Sequence, residues 1–286
     1  MNIFGKSKNN LEDPGKTSKE KIAPTQGVGD ESMGYDPEQM NALVRTIIRE
    51  DREQLQEAEV QQTQEDTKKL EALRKKMSKI IDIGTGDNFE RKKENSPEQI
   101  RLVWQKFYQE VFGIETDFSK VEFPEDKEGF ERAIIMAKGI TTQQLIKKCR
   151  EYFAVSDGVS KAIGEDLEGV IVSERSCMQE SYAVLVQDLV EASRGKLKGF
   201  SADDAKAEKI ATETLKERLI HELKYFLETG KHLDIESVTI CAGSLLPNGE
   251  VPTVSSFKGN VLVVSKASNY SAGGYQPRPV IAKQVA

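Results

Sequence analysis

Four residues late in the chain have the types that chemistry needs. His232-Leu-Asp234 follows a long amphipathic segment, and Cys241 and Ser244 close the apolar run after it. Together they offer a nucleophile, a base and an orienting acid. Gathered at one end of a sheet, they would make a site for a small molecule or for group transfer. Nothing in their spacing requires that they meet. The plainer reading, which we prefer, has His232 and Asp234 capping the helix end and starting a strand, with Cys241 a small core residue. No firm catalytic residue follows, and His232, Asp234, Cys241 and Ser244 stand as the candidates.

Other constellations carry less. Glu217 and His221 lie one helical turn apart, on the side away from Leu219 and Leu223. One such pair is an incomplete metal site, and its expected state is a solvated pair. Cys149, Cys177 and Cys241 are odd in number, widely spaced and without a CxxC motif. They read as reduced thiols rather than a disulfide framework or a zinc site. Asp82-Ile-Gly-Thr-Gly-Asp87 is similar to the first motif of S-adenosylmethionine-dependent methyltransferases, where a strand enters a Gly-rich turn. That motif needs a parallel α/β alternation after it, and this chain continues with helices and a late meander. A glycine helix stop is the simpler reading, and no cofactor or metal is expected. Trp104, Phe107 and Phe112 could stack a ligand, but a stripe at helical spacing is usually core.

The elements that would position these residues follow from pattern and punctuation. Residues 1–35 are polar and read as disordered, with Ile3-Phe4 a frayed apolar tip. Asp36-Pro37 starts a long polar helix over 36–83, a possible coiled coil, with apolar stripes at its two ends. A helix of that kind needs a partner, whether a second copy, the globular part or another protein, through residues 40–81. Residues 84–95 form a linker. Ser96-Pro-Glu-Gln99 opens the α+β domain of residues 96–267 with a capping box. The pattern then predicts a short strand over 121–123, helices over 127–138 and 142–153, and strands over 170–172 and 182–186. A helix region runs from Ser201 to Glu228 and stops at Gly230. Strands over 238–242, 251–257 and 261–264 follow, with a turn at Asn248-Gly249. Pro252 marks its strand as edge or irregular, and Val261 to Val264 reads as buried on both faces. Residues 268–286 read as an irregular tail. The fold class is α+β, helices packed on a mixed or antiparallel sheet, preceded by the long N-terminal helix and the disordered lead.

Composition bounds the function. Of 286 residues, 37% are hydrophobic and 31% charged, with a net charge of −6. The acidic balance argues against nucleic acid as a general partner. The start has no apolar h-region, so no signal peptide is expected, and no apolar run approaches the roughly 20 residues that span a bilayer. The expectation is a cytoplasmic protein with no membrane contact.

From about Ile100 to Ala282 the chain resembles a group of uncharacterised bacterial proteins, found chiefly in uncultivated small-celled bacteria. The resemblance rests on Trp104 to Val121, Lys127 to Leu145, Ser181 to Ala192 and, longest, Thr212 to Ser244. It implies a bacterial protein of the same fold and no known activity. Members tend to have an arginine where this chain has Leu245, an Asp-Gly turn where it has Asn248-Gly249, and an arginine where it has Gln187. The first functional expectation is a non-enzymatic interaction or scaffold protein. The alternative is a small-molecule binder or enzyme with a site near His232, Asp234, Cys241 and Ser244.

Overall fold

Capping chemistry and a glycine stop set the first element. In a computed structural model, which describes residues 67–72, 75, 96–164, 166–193 and 195–283, helix α1 covers Pro97–Phe107. Ser96 Oγ accepts from the Gln99 amide, and the Gln99 side chain accepts from the Ser96 amide. Both otherwise orphaned donors are thereby satisfied. A π-helical turn, Tyr108–Phe112, extends the helix to Gly113, whose φ of 67° suits glycine.

The next segment differs from its pattern. Where a helix is predicted over 127–138, the chain forms strand β1, Arg132–Met136. Gly129 and Gly139, both at positive φ, isolate this short run, and its paired isoleucines suit a sheet. Residues 121–123, predicted as a strand, are irregular. β1 pairs antiparallel with β4, Tyr182–Val186. The aromatic face of α1 covers β1: Trp104 Nε1 donates to the Ala133 carbonyl at 3.2 Å, and the Tyr108 hydroxyl to that of Ile135 at 2.9 Å.

Helix α2, Thr142–Arg150, lies within the expected helix over 142–153 and starts in a capping box of Thr141 and Gln144. Strand β2, Ala154–Asp157, and helices α3, Gly158–Ile163, and α4, Leu167–Val170, follow. Most of the strand predicted over 170–172 is lost because the Asp166 carboxylate accepts from the Gly169 amide and nucleates α4. Only Val172 enters strand β3, Val172–Ser173.

The helix region from Ser201 divides into α5, Ala202–Ala207, and α6, Leu215–Thr229. Lys209, at φ 55°, turns the chain out of α5. Residues 211–213 then run extended against residues 278–280, with backbone bonds from Glu213 to Arg278 and from Val280 to Ala211. Thr214 and Glu217 form the capping box of α6, and Gly230 ends it at φ 73°.

Six strands complete the fold: β5, Val238–Ile240; β6, Ser244–Leu245; β7, Glu250–Phe257; β8, Asn260–Ala267; β9, Tyr275–Pro277; and β10, Val280–Ala282. They build a mixed five-stranded sheet in the order β2-β8-β7-β5-β9, an antiparallel sheet β1-β4-β10, and the ribbon β3-β6. The described fold is α+β. Three strand expectations change. β7 is interior despite Pro252. Cys241, opposite Pro252, donates its amide to the Pro252 carbonyl, while its own carbonyl is taken by the Ser244 amide. The donor that proline lacks is therefore not needed there. In β8 only Val261 and Val263 are buried, and Val264 is exposed. The segment predicted as an irregular tail supplies β9 and β10, one to each large sheet, because Pro277-Arg278-Pro279 holds it extended between them.

α6 lies against α2, β1 and β7, and every residue from Leu215 to Leu227 is buried. The main core gathers around it, with Trp104, Phe107, Ile134, Leu145 and Val184 among its members. The chain divides into units 1–58 and 59–286, and all described residues belong to the second. The lead expected to be disordered, the Gly-rich residues 82–87 and most of the expected helix over 36–83 lie outside the described residues. Residues 67–72 and 75 are helical, and Leu70 packs on the core. Among the described residues no helix is long and apolar enough to cross a membrane.

Gly243 lets residues 212–214 pass close to the turn between β5 and β6. A Cβ there would come within 2.8 Å of the Thr212 carbonyl oxygen and 3.2 Å of that of Glu213. Gly243→Ala is expected to cost about 1–3 kcal/mol, read as a lower urea midpoint. An unchanged midpoint would show that this close approach is not made.

Candidate functional site

α6 carries ionisable side chains on the face opposite its leucines, and these meet charges from three other segments. Asp234, at a φ of 53° that aspartate tolerates better than most residues, follows the helix stop. Its Oδ2 accepts from Arg218 Nε and Nη2 at 3.0 and 2.8 Å, and its Oδ1 from Arg278 Nη2 at 2.7 Å. Thr239 Oγ1 also donates to it. Arg218 reaches Glu222 Oε2 at 2.8 Å, and the other oxygen of Glu222 meets His232 Nδ1 at 2.8 Å. Arg278 donates to the carbonyls of Leu189 and Val190, each at 3.0 Å. Glu213 Oε1 meets His221 Nδ1 at 2.8 Å. Of these ionisable groups His232 is the most exposed, at 12%, and the others are buried.

A second cluster stands at the start of α6. The Arg175 guanidinium grips Glu217 with two bonds of 2.8 Å, and the Tyr182 hydroxyl and Thr214 amide complete the carboxylate's shell. This bidentate geometry is the strong form of a charged pair.

The electrostatics follow from this enclosure. Burial pushes the Asp234 carboxyl up, but the guanidiniums of Arg278 and Arg218 outweigh it and hold it below the ordinary carboxylate value. Glu217 behaves likewise, with Arg175 overcoming burial. Burial lowers Lys224 and raises the Cys241 thiol well above its usual value. An acid held low stabilises the fold above its unfolded pKa. Asp234 and Glu217 therefore contribute stability at neutral pH that is lost as pH falls through their folded values.

The four candidates from the sequence have separate partners. His232 bonds Glu222 and stacks on Phe226, with ring centroids 4.7 Å apart. Asp234 clamps two arginines. Cys241 is a free, buried thiol. Ser244 Oγ accepts from the Leu215 amide at 3.0 Å and shares a bond of 2.8 Å with Ser173 Oγ, so it serves the start of α6. No side-chain hydrogen bond joins any two of the four. Glu217 and His221 are not a solvated pair: both are buried, on Arg175 and Glu213 respectively. Their face of the helix looks into the protein, because polar partners line that side too. Sequence reasoning missed Arg175, Glu213, Arg218, Glu222 and Arg278. The signals were the i,i+4 pair Arg218–Glu222 inside an otherwise leucine-rich helix, and an arginine fixed between two prolines.

A small cavity of about 130 Å³ opens near the start of α6, with Thr142, Glu168, Ile171, Ser173, Ser176 and Lys216 in its wall. Small-molecule sites usually enclose roughly 300–1,000 Å³. Lys216 Nζ is bonded to Glu168 at 2.9 Å. Among the described residues no group of three or more His, Cys, Asp or Glu is placed to hold a metal. Compared with protein-family models, with curated proteins and with solved structures, the chain matches none.

Asp234→Ala leaves two buried guanidiniums without their shared carboxylate and is expected to cost about 3–5 kcal/mol in urea unfolding. A cost within the range of an ordinary surface substitution would refute the clamp. Cys241, a buried protonated thiol, should resist alkylation in the native chain and react only on unfolding. Fast native labelling at Cys241 would show it to be accessible.

Proposed function

We propose that this chain is a non-enzymatic interaction or scaffold protein, whose rigid α+β body presents apolar surface to a second copy of itself. The observation that carries this is the ribbon β3-β6. Its register sets Val172 opposite Leu245, and the two are 70% and 45% exposed. A β-branched and a large aliphatic side chain held side by side in water are apolar surface that a contact would bury. Ser173 and Ser244, the inward pair of the same ribbon, are anchored to α6, so the outer pair is rigidly presented. The helix over 36–83, as a coiled coil with a contact surface over 40–81, and a bacterial, cytoplasmic setting belong to the same proposal.

Val172→Lys with Leu245→Glu tests it. The pair replaces apolar surface by opposite charges across the ribbon, which keeps the ribbon paired. In sedimentation of the full chain we expect wild-type self-association, weakened at least tenfold in the variant. A wild-type chain that stays monomeric at every concentration would sink the proposal.

A second reading, a small-molecule binder, is favoured by the cavity at the start of α6, whose Ser173 wall is bonded to candidate Ser244. Inorganic phosphate, acetate and glycine serve as probes in thermal unfolding. A ligand at about a hundred times its dissociation constant adds about 2.7 kcal/mol. A rise in midpoint that Lys216→Met abolishes would support the binder, and flat curves with all three would remove it.

A further inference from the structure

Among the described residues, the ionisable groups around Asp234 do not balance. Arg218 and Arg278 face Asp234, Glu213 and Glu222, with His221 and His232 as the imidazoles between them. The neighbouring described charges are themselves paired: Arg175 with Glu217, Lys216 with Glu168, and Lys224 and Arg132 with Glu228 and Asp188. Cys241, also within the field of these groups, is a neutral thiol. Fully ionised, with neutral imidazoles, the inner cluster would carry one uncompensated negative charge in the core. A buried charge of that kind is costly unless a proton neutralises it.

The heavy-atom geometry bears on where that proton sits. Glu213 Oε2 is buried without a hydrogen-bond partner, and it stands 3.7 Å from Arg278 Nε, which is likewise unpartnered. An ionised carboxylate would draw that donor to bonding distance. Instead the Arg278 terminal nitrogens are committed to Asp234 and to the carbonyls of Leu189 and Val190. The arrangement fits a neutral carboxylic acid whose hydroxyl donates from Oε1 to His221 Nδ1, with the imidazole proton on Nε2, which is buried and has no hydrogen-bond partner. Burial holds His221 neutral, reinforced by Arg278, Arg132, Arg218 and Lys224 around it.

We propose that Glu213 and His221 together hold one proton up to mildly alkaline pH, and that its loss loosens Arg278 and with it the crossing from β9 to β10. Once ionised, Glu213 competes with Asp234 for Arg278. The affected backbone is the stretch where residues 211–213 pair with 278–280 and where the two large sheets are joined. The fold thus contains a pH-sensitive latch.

The linkage has a definite sign. Burial raises Glu213 from 4.5 to about 8 and lowers His221 well below 6.5. The unfolded pair binds two protons below about pH 4.5, one between about 4.5 and 6.5, and none above. The folded pair keeps one until about pH 8. Stability is therefore indifferent to this pair in the middle window. It falls with rising pH from about 6.5 to about 8, where the folded state binds more protons, and falls again in acid, where the unfolded state does.

Urea unfolding of the full chain tests this. The unfolding equilibrium constant is expected to rise about tenfold per pH unit between about pH 6.5 and 8, beyond any slope in Glu213→Gln. The glutamine amide mimics the protonated acid: it donates to His221 Nδ1 while its carbonyl faces Arg278. Glu213→Gln should match wild type at about pH 4.5 and exceed it by a margin that grows up to about pH 8. An identical slope in the two proteins overturns the proposal. So does loss of the slope in His232→Gln, which would show that the slope does not come from Glu213. Should Glu213→Gln not fold, the carbon resonance of the Glu213 carboxyl in the wild type decides. A midpoint near 8, shared by the amide shifts of Val280 and Ala282, supports the latch. A carboxylate already ionised at about pH 6.5, or amide shifts that do not follow, overturns it.

Discussion

A helix enclosed on every side can carry charge only where each charge meets its opposite inside the protein. α6 is such a helix, and it holds Lys216, Glu217, Arg218, His221, Glu222 and Lys224 along with its leucines. The rest of the fold supplies the partners: Glu168 from α4, Arg175 from the loop after β3, Glu213 from the extended stretch before the helix, Asp234 from the turn after it, and Arg278 from the crossing between β9 and β10. Much of the chain's path is the path needed to bring these groups to α6.

Such a network is a device for register more than for raw stability. Replacing a buried ion pair by well-packed apolar groups is often neutral or stabilising, whereas removing one partner is costly. Asp234 accepts from arginines belonging to two distant segments, so the chain's last strands can dock in one position only. The same constraint explains Gly243, which lets the backbone bearing Glu213 lie close against the β5–β6 turn. It also explains why the histidine, aspartate and serine that suggest catalysis are occupied elsewhere. They hold the frame, and the proposed contact falls instead to exposed residues such as Val172 and Leu245.

The sequence shows the frame better than its centre. Capping boxes at Ser96 and Thr141 and glycine stops at 113 and 230 are local signals, and local hydrogen bonds obey them, whereas the box at Thr214 lies within the single helix region expected from Ser201 to Glu228. The strand Tyr182–Val186 is legible for the same reason. β1 is not, because Arg132–Met136 carries no alternation and is a strand only through its pairing with β4. β9 and β10 are three residues each and owe their state to neighbours distant in sequence. The charged cluster is the least legible feature. Periodicity assigns Glu217 and His221 to solvent because they oppose the leucines, and only the fold shows that this face is covered by residues of matching charge.

The central claim is that the Asp234 cluster welds the crossing between β9 and β10 to α6, so that both open together. Native-state hydrogen exchange at slightly acid pH tests it directly, at the amides of Val280, bonded to Ala211, and of Glu213, bonded to Arg278. The account predicts that both exchange only through global unfolding, with the same denaturant dependence as the α6 amides. Exchange of these two amides by local fraying, with little denaturant dependence while α6 stays protected, would contradict it.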